Sequence, residues 1–313
     1  MKLLLFFFSL CFFSLSQAQP SKVVPFLDSI VTQFPNVRDL AMSPNKDEVV
    51  FSAQSFMGDV SALMYIKKEE NNWSSPQIIS FSGQFFDIEP YFSSDGLTLY
   101  FASNRPINTS SSTVKDFDIW LVTRKTIHEQ WSKPVNLGAP INSDLDEFYP
   151  VITQSKNLYF TLDKPELKQK DNIYVSTFNN GTYTTPEPLS NAINSDGYEF
   201  NAYVAPDESF LIYTKYNASD GFGSGDLYIS HKQKNGGWST AKNMGNTINS
   251  DKMEYCPFLD TDSKTLYFTS KRNGTSAKFD SQLSTEALLK TFYSYDNGLS
   301  RLYKTNIEQF LAH

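Results

Sequence analysis

Four acidic residues stand at the same place in successive segments of this chain, and carboxylates can do several kinds of chemistry. They are Asp87, Glu147, Glu199 and Glu254. Grouped carboxylates can bind calcium, which prefers several oxygen ligands, or a basic group of a ligand. A pair of carboxyl groups about 5 to 9.5 Å apart can instead hydrolyse a glycosidic bond. A structural role is also open, in which each acid caps backbone donors or pairs with a cation such as Arg105 or Arg272.

The segments that carry these acids are copies of one repeat of about 50 to 60 residues. Its clearest marker is an aromatic residue followed by Ser or Thr, at Trp73–Pro76, Trp131–Pro134, Tyr183–Pro186 and Trp238–Ala241. A second marker is Ile-Asn-Ser-Asp, at Ile141–Asp144, Ile193–Asp196 and Ile248–Asp251. In the second copy, strands are predicted at Pro90–Phe92, Leu97–Ala102, Asp118–Val122 and Lys133–Leu137. Four short strands at this period are typical of β-propeller blades.

The repeat is similar to the WD40-like repeat of TolB-type propellers, a family of exported bacterial proteins. The motifs that carry the resemblance are Asp87–Pro90, Ser103–Arg105, Asn136–Gly138 and Asp226–Tyr228. The resemblance extends over nearly the whole mature chain. It implies a propeller fold and favours binding over catalysis, because TolB itself is a partner protein in the cell envelope.

We therefore predict an all-β chain with one β-propeller domain over residues 19–313. The blades are expected at about 37–86, 87–144, 145–196, 197–251 and 252–313, and a degenerate sixth blade is the alternative. Residues 22–26 are expected to close the ring by pairing with the last blade, which hides sheet edges that could otherwise aggregate. A short helix is expected within residues 281–293. The loops from second to third strands are expected on the face where the four acids form a ring at the channel mouth.

The N-terminus predicts export. A charged Met1-Lys2 precedes the apolar run Leu3–Phe13, and Ser16–Ala18 places small residues before a cleavage point. This order indicates a signal peptide over residues 1–18, and therefore a secreted or periplasmic protein. No later segment reaches the roughly 20 apolar residues that a membrane-spanning helix needs.

Charge and cysteine content limit the cofactors and partners. The net charge is −7 and no basic stripe is present, so nucleic acid is excluded as the expected partner. Once Cys11 leaves with the signal peptide, Cys256 remains alone and is expected to be a buried small hydrophobe. Three histidines and one thiol argue against a zinc site. We expect a monomer with no cofactor, calcium at the acidic ring being the one exception considered.

Two functions remain. The first is a non-catalytic binding or scaffold module for a protein, peptide or glycan at the cell envelope. The second is a glycoside-active enzyme that uses channel carboxylates, as five-bladed propellers can. Catalytic acids need different surroundings, whereas Asp87, Glu147, Glu199 and Glu254 repeat in register. If they pair with cations or cap backbone donors, their pKa values should fall below the ordinary range.

Overall fold

The structure is a computed structural model that describes residues 22–311, apart from residues 71, 109–110, 165–168, 196 and 277. The predicted signal peptide, residues 1–18, lies outside the described residues. In the part of the chain that is described, no helix has the length and apolar character needed to cross a bilayer.

Five antiparallel sheets surround a central channel and form a five-bladed β-propeller, which confirms the predicted fold class. The chain begins with β1 (Val24–Pro25) and helix α1 (Asp28–Val31). Blade 1 then contains β2 (Asn36–Met42), β3 (Glu48–Gln54), β4 (Ser61–Glu69), the short β5 (Asn72–Trp73) and β6 (Gln77–Ile78). In blade 2 the strands are β7 (Asp87–Phe92), β8 (Thr98–Ser103), β9 (Asp118–Thr123) and β10 (Val135–Asn136).

The remaining blades follow the same plan. Blade 3 consists of β11 (Asp146–Ile152), β12 (Leu158–Lys164), β13 (Gln169–Ser176), the added hairpin β14 (Phe178–Asn179) and β15 (Thr182–Tyr183), and the outer strand β16 (Glu187–Pro188). Blade 4 consists of β17 (Tyr198–Val204), β18 (Phe210–Tyr216), β19 (Gly225–His231) and β20 (Lys242–Asn243). Blade 5 has β21 (Glu254–Asp260), β22 (Thr265–Ser270), α2 (Thr285–Phe292), β23 (Arg301–Asn306) and α3 (Glu308–Leu311).

The N-terminal strand closes the ring as predicted. Strand β1 pairs antiparallel with β23, with Val24 opposite Lys304, and Phe26 donates its N–H to the carbonyl of Leu302. Blade 5 thus takes its outermost strand from the start of the chain and its other three strands from the end. This pairing joins the two ends of the domain and covers a strand edge that would otherwise be exposed.

Each innermost strand carries a β-bulge at the same point. The residue at the bulge has a left-handed backbone, with φ between 42° and 59°, in all five blades. These residues are Asp39, Glu89, Tyr149, Asn201 and Cys256, and we call them the channel ring. A non-glycine residue in this conformation costs about 1–3 kcal/mol and is retained only where the surroundings fix it. Strand β7 begins at Asp87, three residues before the predicted start at Pro90, and continues through the bulge.

The Ile-Asn-Ser-Asp motif links neighbouring blades through its Asn side chain. Asn194 accepts a hydrogen bond from the Ile173 N–H and donates to the Ile173 carbonyl, so it holds the third strand of the blade that precedes it. Asn142 and Asn249 make the same pair of bonds in their own copies. The motif thus supplies side-chain partners for backbone groups near the edge of a short sheet.

Candidate functional site

The four repeated acids are fully buried at the start of the innermost strands, and each accepts a hydrogen bond from a serine. The Ser82 hydroxyl donates to Asp87 at 2.6 Å, Ser143 to Glu147 at 2.5 Å and Ser250 to Glu254 at 2.7 Å, and Ser195 makes the same bond to Glu199. In three of these pairs the serine belongs to the Ile-Asn-Ser-Asp motif. The acid and the serine therefore fasten the incoming loop to the next blade.

Cations accompany three of these acids. Arg105 donates to Asp87 at 2.6 Å, and Nε of Arg272 lies 3.4 Å from Glu254. The Lys215 ammonium lies 3.8 Å from Glu199. Every one of these cations belongs to the same blade as its acid, and no hydrogen bond or ion pair among the described residues joins two of the four acids.

Glu147 departs from the expected lowering of the pKa. Burial raises the pKa of Glu147 to about 8, although the bonds from Ser143 act in the opposite direction. Its second oxygen, Oε2, is buried and has no hydrogen-bond partner among the residues that the structure describes. The expectation of a lowered pKa is therefore wrong for this residue, because desolvation outweighs hydrogen bonding.

The channel ring holds a network of charged groups that the sequence did not single out. Arg38, next to Asp39, donates from Nε to Asp39 at 3.1 Å and from Nη2 to Glu89 at 2.5 Å. The same Nη2 lies 3.4 Å from the Cys256 sulfur. Asn201 donates to Oε1 of Glu89 at 3.0 Å and accepts from the Cys256 thiol at 3.3 Å. Side chains from blades 1, 2, 4 and 5 thus meet on the channel axis.

Hydroxyl groups from neighbouring blades hold the backbone of the ring. The N–H of Asp39 donates to Thr269, that of Glu89 to Ser52, and that of Asn201 to Thr161. In each case the hydroxyl comes from the second strand of the preceding blade. Blade 2 has Ala102 at this position, and the Tyr149 N–H donates instead to Oε2 of Glu89 at 2.8 Å. The Glu89 carboxylate therefore replaces a missing hydroxyl.

Burial controls the protonation of the ring. It raises the pKa of Asp39 to about 7, against the opposing effect of the Arg38 guanidinium. The pKa of Glu89 is also raised by burial, with Arg38 and Asn201 opposing it. Burial raises the pKa of the Cys256 thiol, which is 1% exposed as predicted for this residue. The thiol is therefore protonated and unreactive at neutral pH.

Among the described residues, one group has side chains spaced closely enough to hold a metal ion. It consists of Asp39, Glu89 and Cys256, whose ligand atoms lie within 4.8 Å of one another. The Arg38 guanidinium contacts all three of them. A protein cation thus occupies the place that a metal ion would take, and the carboxylate oxygens are already engaged.

A cavity of about 470 Å³ opens above the ring on the face where the innermost strands begin. Its floor is formed by Arg38, Glu89 and Asn201, whereas the four repeated acids are not among its lining residues in the described chain. Its walls combine the apolar Ile88, Phe148 and Phe200 with polar residues that include Asp171, and its rim includes Phe56, Met57 and Lys271. A concave site lined by both apolar and polar side chains can bind a ligand.

Exposed apolar side chains are concentrated on this same face, which we call the mouth face. Loops of the mouth face contain Phe56, Met57, Val60, Ile107, Val114, Phe222, Phe279, Leu288, Leu289, Phe292 and Tyr293. The other exposed large apolar residues are Val24, Ile78 and Val135 on outer strands and Tyr198 and Tyr216 at strand ends. In the described part of the chain, the turns of the opposite face contain none.

Helix α2 has its apolar side turned outward. Leu289 and Phe292 are 46% and 58% exposed, whereas the smaller Ala287 and Thr291 are partly buried. The helix is nevertheless well formed, since the Ser284 hydroxyl caps it by accepting the Ala287 N–H. A helix that belonged only to the core of this fold would bury its leucines.

One column of the sequence repeat corresponds to the channel ring. Two residues after each repeated acid stand Glu89, Tyr149, Asn201 and Cys256, a column of the repeat whose chemistry differs in every blade. Asp39 occupies the matching place in the first copy, which is degenerate. A variable column inside an otherwise regular repeat indicates positions that the fold does not dictate.

No protein-family model matches this chain, and no curated protein matches it in sequence. In structure, it is similar to the catalytic domain of the GH62 α-L-arabinofuranosidase of Coprinopsis cinerea, with a TM-score of 0.53 and 9% identity over 93% of this chain and 97% of that one. It is also similar to the α-L-arabinofuranosidase PaAbf62A of Podospora anserina, with a TM-score of 0.52 and 12% identity over 87% and 90% of the two chains.

TolB from Acinetobacter baumannii is a further structural neighbour, with a TM-score of 0.48 and 13% identity. That match covers 86% of this chain and 54% of TolB, so the chain spans about half the length of TolB. At these identities the likeness shows the propeller fold alone. The resemblance to the TolB-type repeat rests on the motifs of the sequence alone.

Proposed function

We propose that this protein is an exported, non-catalytic β-propeller that binds a protein or peptide partner through its mouth face. Export is supported by the signal-peptide pattern of residues 1–18. The repeat motifs that resemble TolB-type propellers support a role in the cell envelope. A glycan is the other ligand class that a cavity of this kind could accept.

The outward apolar side of helix α2 carries the proposal. An exposed apolar patch on a monomer marks an interaction site when it is contiguous and confined to one region. Here Leu288, Leu289 and Phe292 of helix α2 and Tyr293 at its end are exposed. Phe56 and Met57 are exposed at the rim of the cavity. Burial of such side chains contributes about 25 cal/mol per Å² of apolar surface.

The carboxylates at the cavity floor support binding over catalysis. Both oxygens of Glu89 and both oxygens of Asp39 accept hydrogen bonds from the protein itself. A nucleophile or general base needs a lone pair directed at the substrate. The repeated acids are buried and bonded to serines, so they too are withheld from a ligand.

Site-specific photo-crosslinking tests this function. A photoreactive phenylalanine analogue at position 292 or 57 should form crosslinks to one partner in cells that express the protein. The same analogue at Asp207, an exposed residue in a turn of the opposite face, is the matched control. Equal crosslinking from both faces, or none from position 292, would contradict the proposal.

Glycoside hydrolysis is the second candidate. It is favoured by the TM-scores above 0.5 to two arabinofuranosidases. Asp39 and Glu89 are the carboxylates it would use, because one oxygen of each lies within 4.8 Å of the other at the cavity floor and glycosidases act through a pair of carboxyl groups. This candidate predicts that the wild-type protein releases arabinose from an aryl α-L-arabinofuranoside.

A further inference from the structure

The guanidinium group of Arg38 has hydrogen-bond capacity left over at the cavity floor. Nε donates to Asp39, and Nη2 donates to Glu89 and contacts Cys256. Among the described residues, Nη1 has no hydrogen-bond partner, and the Arg38 side chain is 20% exposed and lines the cavity. The two N–H groups on Nη1 can therefore serve an acceptor that enters from the mouth face.

The other polar groups of the cavity also favour an acceptor. Asn201 uses one amide hydrogen on Glu89 and retains the second. Lys271 lies at the rim, and no described residue forms an ion pair with it. The oxygens of Glu89 and Asp39, in contrast, already accept bonds from protein donors. The Asp171 carboxylate also lines the cavity, and the donors that remain for an incoming acceptor are those of Arg38, Asn201 and Lys271.

The channel ring closes the bottom of the cavity. Asp39 and Cys256 are each 1% exposed and Glu89 is 3% exposed, and the bond between Asn201 and Glu89 crosses from blade 4 to blade 2. An extended chain cannot continue through this closure. Only the end of a chain, or a single side chain, can reach the floor.

We infer that the cavity binds the C-terminal carboxylate of a peptide, with Arg38 and Lys271 as its cationic contacts and an apolar terminal side chain against Phe148 and Phe200. This inference rests on the proposed function and specifies the ligand of the same site. Arginine suits a carboxylate because the guanidinium stays charged and its free Nη1 can donate a charge-assisted hydrogen bond. Capture of a chain terminus is a known mode of peptide recognition.

The charge balance of the floor makes binding depend on pH. The groups that face Asp39 are Arg38 on its own strand, Glu89 and Tyr149 from blades 2 and 3, and Tyr255 and Cys256 from blade 5. Burial raises the pKa of Asp39 to about 7. A ligand carboxylate adds a further negative group beside Arg38 and raises that pKa further, so its binding draws a proton onto Asp39. The carboxylate therefore binds more tightly as the pH falls from 8 to 6.

Calorimetric titration of the full mature chain tests the inference with two probes, N-acetyl-Gly-Leu-Phe as the free acid and as the C-terminal amide. The free acid is expected to bind, and the amide to bind roughly tenfold more weakly or worse, because it lacks the charged pair of acceptors. Lys271→Gln should lower the affinity for the free-acid peptide several-fold. The matched control is Lys242→Gln, because Lys242 is exposed and lies outside the cavity. It should leave the affinity for the free acid unchanged.

Two further readouts strengthen the test. Arg38→Lys retains the positive charge but removes the free Nη1 donor, so it should weaken binding of the free acid more than binding of the amide. Titrations in buffers of different ionisation enthalpy should show proton uptake with the acid only. Equal affinity for acid and amide, or no binding of either, would overturn the inference. If position 292 still crosslinks to a partner in that case, the proposed function stands and only the ligand chemistry is wrong.

Discussion

The side-chain amide of Asn201 donates a 3.0 Å hydrogen bond to Oε1 of Glu89, across the central channel from blade 4 to blade 2. Glu89 also accepts from Arg38 of blade 1 and from the Tyr149 backbone of blade 3. One carboxylate therefore connects four blades. It closes the channel and forms the floor of the cavity on the mouth face.

The first prediction concerns the stability that Glu89 provides. Glu89→Gln keeps the size of the side chain but removes its charge, so Arg38 loses one of its two carboxylate partners. We expect the free energy of unfolding to fall by about 1–3 kcal/mol, measured by urea denaturation. The exposed Glu187→Gln in β16 is the control and should change stability by less than about 0.5 kcal/mol. An unchanged midpoint for Glu89→Gln would mean that the network contributes nothing.

The second prediction uses the missing hydroxyl of blade 2. Ala102→Ser would offer the Tyr149 N–H the kind of acceptor that Ser52 and Thr161 provide elsewhere. In the Ala102→Ser background, Glu89→Gln should lower the free energy of unfolding by less, because the carboxylate is no longer the sole acceptor for the Tyr149 N–H. A double-mutant cycle should give a coupling of about 0.5–1.5 kcal/mol. Strict additivity would show that Glu89 does not substitute for the hydroxyl.

The third prediction concerns pH. Burial raises the pKa of Glu147 to about 8 in the folded protein, so between its ordinary value and pH 8 the folded state retains a proton that the unfolded state releases. Its contribution to stability must therefore decrease as the pH rises through this window. Unfolding free energies at pH 5, 6, 7 and 8 should fall less steeply in Glu147→Gln than in the wild type. Parallel curves for the two proteins would contradict the raised pKa.

The fourth prediction separates the two sides of helix α2. Leu289→Ser combined with Phe292→Ser should leave the melting temperature unchanged, since both side chains are exposed, and should abolish partner capture at the mouth face. Ala287→Asp places a charge on the partly buried side and should loosen the helix. Hydrogen exchange of residues 285–292 measures this loosening. A large loss of global stability in the double variant would show that the outer side belongs to the core.

The fold could be predicted because the repeat is encoded locally. Each copy has turn residues, alternating apolar positions such as Leu99 and Phe101, and the Asn and Ser of its Ile-Asn-Ser-Asp motif. These features recur at one period, and a ring of similar sheets is the arrangement that satisfies all of them. Closure by β1 followed from counting strands in the last copy.

The site could be predicted only in part, because its partners lie on different blades. The repeated acids were identified, but Glu147 shows that burial, which the sequence does not display, can reverse an expected pKa shift. Arg38 and Asp39 were missed because the first copy is degenerate and the bulge that turns them into the channel has no glycine to reveal it. The outward side of α2 could not be foreseen either, since a leucine-rich helix is ordinarily expected to pack inward.

A measurement of turnover tests most directly whether this propeller is a binding protein or a glycosidase. Wild-type protein and Glu89→Gln should be incubated with aryl α-L-arabinofuranosides and with arabinose-containing polysaccharides, and released sugar should be quantified over time. We predict no release above the uncatalysed rate by either protein. Release by the wild type that disappears in Glu89→Gln, while circular dichroism shows the variant still folded, would contradict the account and identify the channel carboxylates as catalytic.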